Sequence, residues 1–194
     1  MKTLNFRDLT AGEIEIRIGS INEKGLTLLL YKNSRVDMTI LDETVGAWNW
    51  QREHYECKGN LFCRVGIRDP ETVANFNPSL AQNVPEWVFK SDCGAESNTE
   101  KEKGEASDSF KRACVNWGIG RELYTAPFIY IPATDKEGKP NYKLKDGTRS
   151  NKPATYDKFI VEKIKIEDKK ITALAIRNET QNKRVFVWQK AAEK

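Results

Sequence analysis

Apolar residues along this chain recur with two periods, near two and near 3.6, and they predict strands mixed with helices. Thr10 and Glu13 form a T-x-x-E capping box. Ile14, Ile18 and Ile21 behind it fit one face of a short helix, while Ile16 alternates with its neighbours as in a strand. Residues 26–31 (LTLLLY) read as a buried strand, and Lys32-Asn33-Ser34 as a turn or helix cap. Residues 35–45 fit two patterns. Val36, Met38 and Ile40 alternate like a strand, and Val36, Ile40 and Leu41 fit a helix capped by Asn33 or Ser34. Three strands follow at 48–57, 61–68 and 86–93, the first two joined by the turn Lys58-Gly59-Asn60. Leu61, Cys63, Val65 and Ile67 share one side, and Asp69-Pro70 ends that strand. Residues 71–85, with two prolines and three asparagines, read as a long loop. Together the three strands predict an antiparallel meander.

A helix is predicted over 99–117, with Ser97/Glu100 or Thr99/Glu102 as its capping box and Gly118 and Gly120 as its stop. Ala106, Phe110, Ala113, Cys114 and Trp117 form its apolar stripe. Residues 128–131 read as a short strand. Residues 133–155, polar and rich in lysine, glycine and proline, read as a flexible basic loop. A hairpin spans 158–166 and 171–177, and 184–188 adds a strand. The predicted class is α+β: an antiparallel β-meander packed on a long central helix (a β-β-β-α core), with a C-terminal basic β-hairpin. The sequence divides into a core domain at 1–132, the loop at 133–155 and an extension at 156–194.

The composition changes the picture in one respect. The net charge of +4 is uneven: residues 1–127 hold 16 Lys and Arg against 19 Asp and Glu, and residues 128–194 hold 16 against 9. A basic C-terminal third fits an anionic partner or an ordinary solvated lysine surface. No run approaches the ~20 apolar residues of a membrane helix, and residues 1–9 have no secretory h-region, so a cytoplasmic protein with no membrane contact is expected.

Enzyme signatures are missing. There is no Walker loop, Gly118-x-Gly120 follows a helix rather than a strand, and the single histidine, His54, leaves no triad. Asp92, Glu96, Glu105 and Asp108 are candidate metal carboxylates for a nuclease, yet no spacing picks them out from surface acids. Cys57, Cys63, Cys93 and Cys114 form no C-x-x-C pair, so they read as reduced thiols and no metal or cofactor is expected. Lys101, Lys103, Lys111 and Arg112 on the predicted helix can track a phosphate backbone, or pair with Glu105 and Asp108 as a salt-bridged solvent face. Trp48, Trp50 and Tyr55 can stack on unpaired bases. Alternation places the two tryptophans on one strand face, where core packing is the commoner role.

The stretch Gly104-Glu-Ala-Ser-Asp-Ser-Phe-Lys-Arg-Ala-Cys-Val-Asn-Trp-Gly118, continuing Ile119-Gly-Arg-Glu-Leu-Tyr124, closely resembles the central helix of the Rad-fifty-two-like single-strand annealing proteins, which include phage proteins of the Sak group. Ser34-Arg35-Val36, through Leu41 and Asp42 to Gly46 and Trp50, resembles the segment before that family's meander. The resemblance covers residues 9–127. It implies a helix at 35–45 and an ATP-independent, non-enzymatic annealing protein for recombination and repair. It also implies a large homo-oligomeric ring with single-stranded DNA in a basic groove, and a phage or prophage gene in a bacterial host. A host or phage single-strand binding protein is a further candidate partner. Lys111 and Arg112 match the adjacent cations that line the groove, Arg35 matches an earlier groove arginine, and Lys103 matches another lysine of the helix. One departure is Val115, where a family member carries a further arginine. A passive single-strand binder, or a filament-forming protein of the RecT or Erf type, is the alternative.

Overall fold

The computed structural model describes residues 4–77, 79, 86–95, 101–145 and 153–191. In chain order the elements are β1 (Ile14–Asn22), β2 (Gly25–Lys32), α1 (Ser34–Val45), β3 (Trp50–Cys57), β4 (Asn60–Arg68), α2 (Pro70–Ala74), β5 (Trp87–Cys93), α3 (Lys101–Trp117), β6 (Ile129–Pro132), β7 (Phe159–Glu167), β8 (Lys170–Asn178) and β9 (Lys183–Gln189). The class is α+β. Three small antiparallel sheets have the orders β1-β2-β6, β3-β4-β5 and β7-β8-β9.

The chain forms two compact units. Unit 1 is residues 1–7 and 33–120, and unit 2 is residues 8–32 and 121–194. The division does not follow chain order, because β2 pairs with β6 across about a hundred residues of sequence, Leu26 opposite Ile131 and Leu28 opposite Ile129.

In unit 1, β3 and β4 join through Lys58 (φ +53°) and Gly59 (φ +76°), the left-handed pair that a tight hairpin requires. Cys63, Val65 and Ile67 of β4 are buried with Phe110, Ala113 and Cys114 of α3 and Ile40 and Leu41 of α1. Buried Phe110, Ala113 and Cys114 belong to the apolar stripe expected for that helix, which ends before Gly118. Asn33 caps α1 by accepting the Arg35 backbone N–H at 3.0 Å, which settles residues 35–45 as helix.

Four expectations are revised. The Thr10/Glu13 capping box is present but closes only the 3-10 turn Ala11–Glu13, and residues 14–22 are strand. The register of β1 against β2 slips between Ile18 and Ser20. Ile14, Ile16 and Ile18 alternate as strand residues, and the slip brings Ile21 back into step with them, so a bulged strand imitates helical spacing. In place of an uninterrupted loop, Asp69-Pro70 opens the short helix α2, with the Asp69 side chain accepting the Glu71 N–H. Trp48 is not core: it lies in a turn before β3 and is 90% exposed. The basic loop is tied down where it is described. Asn141 and Tyr142 are buried, and Thr134 bridges to Pro140. Residues 146–152, and the residues 97, 99 and 100 invoked in the capping boxes of the long helix, lie outside the described residues.

In unit 2 a buried polar knot replaces part of an apolar core. Asn178 donates to Asp157 at 2.7 Å and to the Asn141 carbonyl at 3.0 Å, and it accepts from the Gln181 N–H. Burial disfavours charge on Asp157. The hydrogen bonds from Asn178, the Lys143 N–H and Gln181 outweigh it, and hold the carboxyl below the usual range.

Candidate nucleic-acid interface

All five cations predicted for DNA lie in unit 1. Arg35 sits exposed in the first turn of α1, with no ion-pair partner for its side chain among the described residues. Lys101 and Lys103 are exposed near the start of α3, Lys111 is half-buried and Arg112 exposed. Helix α1 packs against α3. Helical geometry does not put the four α3 cations on one face. Lys101 and Arg112 fall within ~20° of each other, ~16 Å apart along the axis, whereas Lys103 is ~180° from Arg112. Lys111 and Arg112 flank a line carrying Asp108 and Val115, about 100° apart from one another.

The acids around these cations have specific tasks. Lys111 Nζ lies 3.9 Å from Asp108, a pair at i,i+3 spacing. Arg112 lies 3.3 Å from Asp92, a carboxylate supplied by β5. Glu105, a candidate partner by spacing, instead accepts the backbone N–H of Leu61 at 3.0 Å. Asp108 also accepts the Ala95 N–H. Both ion pairs are partly exposed, and such pairs contribute roughly 0–1 kcal/mol. A phosphate can therefore exchange for either carboxylate at small cost. Among the described residues, no group of three or more His, Cys, Asp or Glu converges as a metal site would.

A set of polar contacts fixes α3 on its sheet. The Trp117 indole N–H donates to the Val65 carbonyl at 2.9 Å, and His54 Nε2 donates to Ala106 O at 3.1 Å. Lys90 donates to Asn116 O at 2.9 Å while lying 4.5 Å from the Trp117 ring centroid. Trp50 stacks against Phe110 at 6.2 Å and donates to Asp42 at 2.7 Å, so it joins α1, β3 and α3. These contacts seat the helix that carries Lys111 and Arg112.

No protein-family model, curated protein or solved structure matches the chain.

Sequence reasoning missed the side of the sheet away from α3. Phe62, Arg64 and Arg68 occupy the second alternating set on β4, and Trp87 and Phe89 the matching set on β5. The signal was present in the alternation of β4, where every apolar core residue is followed by a ring, an arginine or a glycine. Of the three aromatics singled out by sequence, Tyr55 alone lies on this side, paired with Phe62.

Proposed function

We propose that the protein is an ATP-independent single-strand annealing protein of the Rad-fifty-two-like kind, working as a homo-oligomer. The observation that carries this reading is the adjacent pair Lys111 and Arg112 on a helix seated on its sheet, each near a carboxylate that a phosphate can replace. The motif over 104–124 supports it, as does the local order of three strands followed by α3, which fits a β-β-β-α core. In this reading α3 is the long helix on which the meander packs.

The chemistry needs no nucleotide hydrolysis. Complementary strands pair downhill once their mutual repulsion is screened, and Lys and Arg contacts to phosphate position a strand without reading its sequence. Lys111 and Arg112, with Arg35 and Lys101, supply that screening, Lys103 on the far side of α3 from Arg112 contributes only a separate contact, and repetition around an oligomer multiplies weak contacts into avidity.

The test is pairing of two complementary, fluorescently labelled oligonucleotides by the purified protein without ATP. Acceleration that fades as salt rises is the expected result. Strand binding without faster pairing assigns the passive binder instead, and absence of strand binding removes the reading.

A further inference from the structure

The β3-β4-β5 sheet has a second face that the annealing chemistry above does not use. Cys63, Val65 and Ile67 point toward α3, so the two-residue period turns Phe62, Arg64, Gly66 and Arg68 to the opposite side. The register sets Tyr55 beside Phe62, Phe89 beside Gly66 and Trp87 beside Arg68. Tyr55 and Phe62 stack with centroids 5.6 Å apart and planes 22° apart, and Trp87 and Phe89 stack at 6.3 Å and 28°. The Arg64 guanidinium lies 4.7 Å from the Phe89 centroid, and that of Arg68 lies 5.0 Å from Trp87. Gly66 makes room: a Cβ there would come within 2.4 Å of Phe89 Cε1, so the ring lies flat across β4. Tyr55 and Phe89 are each 38% exposed.

A solvated sheet face ordinarily alternates to small or charged polar residues. This one carries four rings and two guanidiniums, and Glu53, bonded to Arg64 at 2.9 Å, is the one carboxylate paired into it among the described residues. Flat rings match the π-faces of unpaired bases, and the surplus arginine charge matches phosphate.

We propose that the open face of β3-β4-β5 is a second contact for single-stranded DNA, with bases stacking on Tyr55, Phe89 and Trp87 and with Arg64 and Arg68 taking the adjoining phosphates. The proposal rests on the annealing reading and deepens it. The rings and α3 lie on opposite sides of one sheet, so a nucleotide on the rings cannot also reach Lys111 and Arg112. The two surfaces hold different stretches of DNA, one by its bases and one by its backbone.

The experiment uses the full chain and measures anisotropy with two labelled oligonucleotides of equal length, one of thymidines and one of abasic sites. Wild-type protein is expected to bind the thymidine strand about tenfold or more tightly than the abasic one, in keeping with base–aromatic stacking elsewhere. Tyr55→Ala combined with Phe89→Ala should erase that preference and leave the salt dependence unchanged, whereas Tyr55→Phe should keep it. Equal wild-type affinity for the two strands overturns the proposal and leaves the annealing reading standing, and this comparison needs no variant to fold. A folded double variant that retains the thymidine preference also overturns it, and if that variant loses oligomeric mass the face belongs to a subunit contact. Wild-type binding to neither strand removes both readings.

Discussion

The two units differ most where charge and function are expected to coincide. Unit 2 holds 20 Lys and Arg against 14 Asp and Glu, while unit 1, which carries all five candidate DNA cations, holds 12 against 14. Charge counting alone would put DNA on unit 2. The arrangement of the charges argues the other way. Several of the cations described in unit 2 are committed internally: Lys183 is bonded to Asp135 and the Pro140 carbonyl, and Arg177 and Arg184 share Glu162. Lys111 and Arg112 of unit 1 face half-buried carboxylates across 3.9 and 3.3 Å. Surplus charge and exchangeable charge thus fall on different units.

The units also hold themselves together differently. Unit 1 relies on an apolar seam around Phe110, and unit 2 adds the knot around Asn178. Phe110→Ala should cost about 3–5 kcal/mol, the usual range for emptying a buried aromatic site. Urea unfolding measures the loss. Hydrogen exchange should show it in β3, β4, β5 and α3, and loss spread equally over β7–β9 would break the distinction between units. Asn178→Ala removes donors to a buried carboxylate and should cost about 1–3 kcal/mol. The salt dependence of DNA binding should stay as it is in that variant, and a changed dependence would move DNA contacts to unit 2.

Smaller effects sharpen the account of exchangeable cations. Asp92→Asn removes the competitor of Arg112, and an exposed pair worth up to about 1 kcal/mol predicts strand affinity up to about fivefold tighter. In unit 2, Arg184 and then Arg177 hold the Glu162 carboxyl at about 2, below its ordinary 4.5. A depressed carboxylate contributes stability that is present above the ordinary value and lost as pH falls toward about 2. Glu162→Gln should therefore flatten acid unfolding between those limits and lower stability at neutral pH, where the ion pairs are fully formed. The smallest effect is chemical. Burial pushes the Cys63 thiol up to about 11, so native protein should alkylate at exposed Cys57 well before buried Cys63 or Cys114.

Much of the fold was legible because local signals agreed. The period of β4, the Lys58-Gly59 turn and the stripe on α3 each point one way, and the structure follows them. Illegible features needed information from elsewhere in the chain. The bulge in β1 shows only against β2, and the grouping of residues 8–32 with 121–194 requires the β2–β6 pairing. At the candidate site, the cations of α3 could be read from sequence. The Lys111–Asp108 pair followed helical spacing, but Asp92 reaches Arg112 from a strand, and Glu105 is taken by a backbone N–H that no side-chain spacing reveals. The ring-bearing face was hidden because its residues come from three strands and converge only through register.

The most direct measurement is single-strand binding across a salt series for wild-type protein and for Lys111→Glu combined with Arg112→Glu, with folding checked by circular dichroism. Affinity should fall by about 10- to 100-fold, as lost and reversed phosphate contacts produce, with a salt slope shallower by about one to two units. A folded double variant with wild-type affinity and slope would contradict this assignment.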